Sequence, residues 1–95
     1  MKAYELLAKE ENWTTEWYSR DKNGNPCILE DAGEPTCWCT SGALMQCYED
    51  REFSIARNKL IAWLDEHKHH NNIAFWNDHQ ATHAEVVRVL KELDL

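Results

Sequence analysis

The stretch Glu52–Lys68, EFSIARNKLIAWLDEHK, decides the class of fold. Its apolar side chains return every three or four residues, which places them on one face of an α-helix. A run of Lys68, His69 and His70 follows where a helix C-terminus favours positive charge. We therefore predict a helix here whose buried face is the centre of a small core, with the following members: Phe53, Leu60, Trp63, Leu64, Val86 and Leu90.

Three further helices are predicted around this one. Ala3–Glu11 has the pattern of a short amphipathic helix, and apolar side chains return at helical spacing over Cys37–Tyr48. Gly42 inside the second of these suits close packing against another element. Thr82 and Glu85 match a capping box, in which a Thr oxygen and a Glu three residues later share the exposed amides at the start of the last helix.

Between the first two helices the sequence changes character. Trp13–Tyr18 is rich in aromatic and β-branched residues and favours a strand. Asp21–Pro26 is predicted to be a turn, because Asn and Gly tolerate a positive φ, and Cys27–Leu29 is predicted to be the return strand. We thus expect one domain over residues 1–95 with an α+β, mainly helical fold: about four short helices and a small N-terminal β-hairpin.

Composition limits the classes of function. The 95 residues are 43% hydrophobic, which excludes a fully disordered chain, and carry a net charge of −7. An acidic protein is unsuited to sequence-independent binding of nucleic acid or of an anionic membrane. The absence of a signal-peptide pattern and of a long apolar run predicts a cytoplasmic protein with four free thiols and no membrane contact.

Cysteines and histidines suggest two chemistries, a metal site and a thiol enzyme. Cys37 and Cys39 do not have zinc-finger spacing, and His79 and His83 lack the Glu of a metalloprotease helix, so we expect neither a metal nor another cofactor. A thiol hydrolase built on Cys39 and His79 is one alternative. Acidic residues just before the thiols would raise their pKa, so we expect a protein that is not an enzyme.

Five tryptophans are many for this length, and several fall in irregular segments. Trp17, Trp38 and Trp76 could wall a pocket for a small ligand such as a nucleotide or metabolite, with Asn77 and Asp78 as its polar contacts. The competing interpretation is that these aromatic side chains fill the ends of the core. The sequence leaves both open.

The negative charge is concentrated in one region. Residues 27–50 contain five acidic residues and no basic residue, and the flanking regions are nearly neutral. Glu30, Asp31 and Glu34 are the first three of the five. One acidic sector of this kind suits a protein partner with a basic surface, although an ordinary solvated loop has the same composition.

Two motifs carry a resemblance over residues 3–93. W-C-x-x-G-A-L begins at Trp38, and W-N-D-x-x-x-T-x-x-E-V begins at Trp76. Together with Trp13 and the turn from Asp21 to Gly24, they are similar to a family of small uncharacterised proteins of actinobacteria and their phages, a domain of unknown function. The resemblance implies one scaffold that includes the hairpin, and it implies no activity.

The leading hypothesis is therefore a small acidic interaction protein without catalytic activity, of phage origin and acting on a host protein. The small-ligand-binding protein is the first alternative and the cysteine-dependent hydrolase is the second. The sequence does not fix the oligomeric state; a dimer would be one way for so short a chain to gain buried surface.

Overall fold

The longest helix forms where the apolar spacing predicts it. In the computed structural model, which describes residues 1–95, a helix runs from Asp50 to Lys68 and buries Ala56, Leu60 and Leu64. His69 ends it in the left-handed conformation, with φ of 62°. Phe53 and Trp63 are only partly buried and pack against the edge of the core rather than at its centre.

Five helices and two short strands make up the chain, so the α+β, mainly helical class is confirmed. The helices are α1 (Ala3–Leu6), α2 (Thr40–Cys47), α3 (Asp50–Lys68), α4 (Ile73–Phe75, continued by a π-helical turn over Trp76–Gln80) and α5 (His83–Glu92). The strands are β1 (Ser19–Arg20) and β2 (Cys37–Trp38). None of the helices is both long and apolar enough to cross a membrane.

The small antiparallel strand pair exists, but its strands differ from the predicted ones. Ser19 lies opposite Trp38 and Arg20 opposite Cys37. The predicted return strand Cys27–Leu29 does not form, and an isolated bridge joins Arg20 to Pro26, the last residue of the predicted turn. The predicted turn does form, since the Asp21 N–H donates to the Asn25 carbonyl at 2.9 Å. Each strand has only two residues, which is too few for an alternating pattern of apolar and polar side chains. The sequence therefore could not identify β2 as the partner of β1.

Two helices are shorter than predicted. The apolar spacing suggested a helix from Cys37, but Cys37 and Trp38 belong to β2, and Cys39 is the N-cap of α2. The first helix ends at Leu6, and a separate 3₁₀ turn covers Glu10–Asn12. At Cys37 and Trp38, pairing with β1 replaces the local helical preference.

The start of α5 is half of the predicted capping box. The Thr82 hydroxyl accepts from the Glu85 N–H at 3.2 Å. The Glu85 carboxylate does not bond to the N–H of Thr82, as a full capping box requires. It accepts a hydrogen bond from the Trp76 indole N–H at 2.9 Å and forms an ion pair with Lys68 at 3.5 Å. Glu85 thus joins α3, α4 and α5.

One hydrophobic cluster connects the helices, with α2 in contact with α1, α3 and α4. Its thirteen buried members are Ala3, Leu7, Ala43, Leu44, Ala56, Leu60, Leu64, Ile73, Trp76, Val86, Val89, Leu90 and Leu95. The segment from Trp13 to Trp38 lies outside this cluster, apart from two tryptophans that pack on it. This segment supplies most of the residues that line the candidate site.

Candidate binding cleft

A cleft of about 510 Å³ opens where the N-terminal segment meets α2 and α4. Four parts of the chain line it: residues 16–19, residues 26–28, the start of α2 at Cys39 and Ser41, and α4 at Ala74 and Asp78. Its size is in the range of pockets that take a small molecule or a few side chains of a partner. We refer to it below as the cleft.

The wall formed by residues 16–19 is fixed by contacts with α2 and α4. The Tyr18 carbonyl accepts from the Cys39 N–H at 3.1 Å. It also lies so close to Gly42 that a Cβ there would be 1.9 Å from the Tyr18 oxygen. The wall can approach α2 this closely only because residue 42 has no side chain, as its predicted close packing requires.

Glu16 is in an unusual backbone conformation. Its φ is 74°, in the left-handed region that non-glycine residues rarely adopt. The Glu16 N–H donates to Asp78 Oδ1 at 3.0 Å, which ties the wall to α4. This hydrogen bond holds the bend that presents Trp17 and Tyr18 at the cleft.

The opposite wall depends on the buried carboxylate of Asp21. Asp21 Oδ2 accepts from the Gly33 N–H, and Oδ1 accepts from the N–H groups of Asn23 and Asn25, each at 2.9 Å. These hydrogen bonds, that of Gly33 first, lower the pKa of Asp21 despite its burial. Asp21 thereby joins the turn before Pro26 to the loop after it.

Cys39 lines the cleft and is the N-cap residue of α2. Its Sγ caps α2 by accepting from the Gly42 N–H at 3.3 Å. Burial raises the pKa of the Cys39 thiol, and the negative charge of Asp78 acts in the same direction. The thiol is therefore protonated at neutral pH, the less reactive form.

The charged groups that line the cleft are both carboxylates, Glu16 and Asp78. Glu16 pairs loosely with Arg20 at 3.6 Å. Asp78 Oδ1 accepts from Glu16 and from the Asn77 amide, while Oδ2 accepts no hydrogen bond and has no ion-pair partner. Because no buried side-chain oxygen lacks a partner, this oxygen is open to solvent. Arg57 lies in an adjacent shallow depression.

The structure brings together only part of the predicted aromatic pocket. Trp17 and Asp78 line the cleft, as the pocket hypothesis requires. Of the two interpretations left open for Trp76, the core one applies: the side chain is completely buried and its ring packs against Trp63 at 5.7 Å between centroids, so it does not line the cleft. Trp38, in β2, packs on the core and does not line the cleft.

Asn77 is also buried, so the prediction that it contacts a ligand is wrong. Its Oδ1 accepts from the Trp13 indole at 2.8 Å and from the N–H and hydroxyl of Thr40 at 3.0 and 2.7 Å. Its Nδ2 donates to the Thr14 carbonyl and to Asp78. With every polar atom satisfied inside the protein, Asn77 has a structural role.

The five acidic residues of positions 27–50 do not form one surface. Glu30, Asp31 and Glu34 are exposed in the loop that follows Ile28 at the cleft. Glu49 and Asp50 lie beyond α2, whose eight residues span about 12 Å. Only the first three, called here the acidic loop, belong to the same end of the chain as the cleft.

No hydrogen bond joins Cys39 to a histidine, and His79 contacts the exposed Phe75 ring at 5.3 Å between centroids. No group of three His, Cys, Asp or Glu side chains comes together in a way that could hold a metal ion.

Most of the residues that line the cleft were not predicted from the sequence, and Glu16, Tyr18 and Ile28 are among them. Tyr18 and Ile28 were assigned to strands, in which half the side chains face inward, yet they are 62% and 79% exposed. The sequence did contain a signal for their exposure. Tyr18 and Ile28 flank the turn Asp21–Pro26, and apolar residues beside such a turn have few neighbours to cover them.

No curated protein and no solved structure matches the chain. A family model, described as a family of unknown function (DUF6197), matches residues 1–93. This range includes the cleft, the Asn77 hydrogen bonds and both motifs that suggested a family of uncharacterised proteins. The chain therefore belongs to the DUF6197 family of unknown function.

Proposed function

We propose that the protein is a non-catalytic interaction domain that binds a polypeptide partner through the cleft. The observation that carries this proposal is the group of exposed apolar side chains around it: Trp17, Tyr18 and Ile28. Apolar side chains exposed together beside polar groups are typical of surfaces that are covered in a complex.

Charge supports a basic partner. Glu16 and Asp78 line the cleft. The acidic loop follows directly after Ile28, which also lines the cleft. An acidic surface of this kind attracts a basic protein and speeds its association. In the phage setting that the family resemblance suggests, the partner would be a host protein.

The test is a selection of short random peptides on the immobilised protein. Peptides enriched on the natural protein should bind about tenfold more weakly to Trp17→Ala and to Ile28→Ser, because each change removes apolar contact area from the cleft. Ile55→Ala is the matched control, since Ile55 is 53% exposed on α3 beside a different depression.

Enriched peptides that bind all three variants equally would contradict the proposal, and so would a selection that enriches none. Neutralising the acidic loop by Glu30→Gln, Asp31→Asn and Glu34→Gln should slow association and weaken its salt dependence. An unchanged salt dependence of association would mean that the acidic loop does not contribute to the binding surface.

A small-ligand-binding protein is a second candidate, favoured by the cleft volume of about 510 Å³. Glu16 and Asp78 would repel phosphate groups, so a neutral or cationic ligand suits the cleft better than a nucleotide. Quenching of Trp17 fluorescence by a neutral or cationic metabolite, absent in Asp78→Asn, would favour this candidate. Chemistry at Cys39 has no comparable support.

A further inference from the structure

We infer that the cleft recognises a lysine side chain of the partner polypeptide, with its ammonium on Asp78 Oδ2. This inference rests on the proposed function and adds the chemical group that is recognised. Three independent features of the cleft lead to it: the sign of its charges, the one free oxygen of Asp78, and its apolar wall.

The charges of the cleft select a cation. Glu16 and Asp78 are its only charged lining residues, and Asp78 forms no ion pair within the protein. Cys39, beneath them, is a protonated thiol that adds no charge. A cationic group entering the cleft therefore meets a carboxylate that has no internal competitor, whereas an anion meets two repulsive charges.

The geometry of Asp78 favours lysine over arginine. Oδ1 already accepts from the Glu16 N–H at 3.0 Å and from the Asn77 amide at 2.9 Å. Only Oδ2 is free, so the parallel pair of hydrogen bonds that a guanidinium makes with both oxygens is not available. A compact ammonium needs a single strong acceptor, which Oδ2 supplies.

The apolar wall suits the rest of a lysine side chain. Trp17, Pro26 and Ile28 line the cleft together with Asp78. Lysine buries its four-carbon stem against apolar surface while its charged end meets a polar group. An ammonium near an aromatic face gains further attraction from the ring electrons.

The test uses n-butylammonium, an analogue of the lysine side chain. Its binding is monitored through changes in the amide NMR signals of the protein. Butylammonium should shift the amides of Glu16, Trp17 and Asp78 saturably. The charge-free 1-butanol and the guanidinium analogue n-butylguanidinium should bind several-fold more weakly. Asp78→Asn keeps Oδ1 as an acceptor for Glu16 but removes the charge, so it should reduce butylammonium binding to the level of butanol.

Two further variants keep the result interpretable. Trp17→Leu should weaken binding of all three probes, and Glu66→Gln, an exposed change on α3 outside the cleft, should leave them unchanged. Equal binding of butylammonium and butanol, stronger binding of butylguanidinium, or an unaltered response in Asp78→Asn would overturn the lysine assignment.

The peptide selection separates this failure from failure of the proposed function. Replacing lysine by norleucine in an enriched peptide should cost about tenfold in affinity for the natural protein and little for Asp78→Asn. Enriched peptides that need Trp17 but contain no lysine would overturn the assignment and leave the interaction domain standing. A lysine-containing peptide should bind more tightly than free lysine or cadaverine, because it adds contacts with Tyr18. Equal affinities would indicate a metabolite rather than a polypeptide and would overturn the inference.

Discussion

Asp21 shows how one residue organises a segment with little regular structure. Its carboxylate accepts three hydrogen bonds from main-chain N–H groups. Two donors, Asn23 and Asn25, lie in the turn that follows it, and the third is Gly33, twelve positions away. A short side chain with two acceptor oxygens thereby replaces the hydrogen bonds that a sheet would provide. The cleft wall at Pro26 depends on this arrangement.

The pKa of Asp21 gives a prediction for acid stability. Because the folded state holds this pKa below the usual 3.8, the carboxylate stabilises the fold above that pH and loses this effect as the pH falls through its folded-state pKa. Asp21→Asn should be less stable than the natural protein at neutral pH. In urea unfolding, the difference should shrink on acidification below pH 3.8. A difference that stays constant would contradict this account.

Two neighbouring residues, Trp76 and Asn77, show where sequence reasoning fails at this scale. Asn is usually exposed, and its position beside Asp78 suggested a polar contact edge. In the structure its partners come from positions 64 and 37 residues away along the chain. The π-helical turn adds to the difficulty, because it changes which neighbouring side chains face inward, and a period of 3.6 residues no longer applies.

At the scale of elements, the close contact between α2 and the cleft wall is possible because Gly42 has no side chain. Gly42→Ala would place a Cβ 1.9 Å from the Tyr18 carbonyl oxygen, which is main chain and cannot rotate away. The better helix propensity of Ala, worth up to ~1 kcal/mol, is smaller than this clash. We expect a loss of about 2–4 kcal/mol in urea unfolding.

Gly33→Ala is the matched control for that change. A Cβ at Gly33 would lie 3.5 Å from the Asp21 side chain, an ordinary contact, and the N–H that Asp21 accepts is retained. Its stability should stay near that of the natural protein. Equal stability of the two variants would mean that the wall moves freely against α2.

Elements with a long local pattern were the predictable ones. The spacing of apolar residues predicted α3 to within two residues at its start, and Thr82 predicted the cap of α5. The partner of β1 was not predictable, since Cys37 and Trp38 are joined to it across an intervening loop and carry a helical pattern themselves. The cleft lies beside this strand pair, so its composition was only partly predictable.

At the scale of the whole molecule, Asn77 links segments that are far apart in the chain. It connects the N-terminal segment at Trp13 and Thr14 to the start of α2 at Thr40. Asn77→Ala would leave buried donors without acceptors at both ends of this link. We expect a loss of about 3–5 kcal/mol in urea unfolding, a large part of the stability of so small a protein.

Asn58→Ala, on the exposed side of α3, is the control and should change stability little. Loss of the Asn77 amide should also disturb the NMR signals of the Trp13 indole and of Thr40 together. If Asn77→Ala unfolds at the same urea concentration as Asn58→Ala, the hydrogen bonds of Asn77 do not hold the N-terminal segment to the helices.

The hydrogen bond between Asp21 and Gly33 has an entropic consequence for recognition. It anchors the loop of Glu30, Asp31 and Glu34, which is held again where the Thr36 N–H donates to the Arg20 carbonyl at 2.8 Å. A mobile loop loses conformational freedom when it enters a complex, and that loss opposes binding. Here the main chain is ordered before a partner arrives, so only side-chain freedom is lost and the negative charges are presented on a preorganised surface.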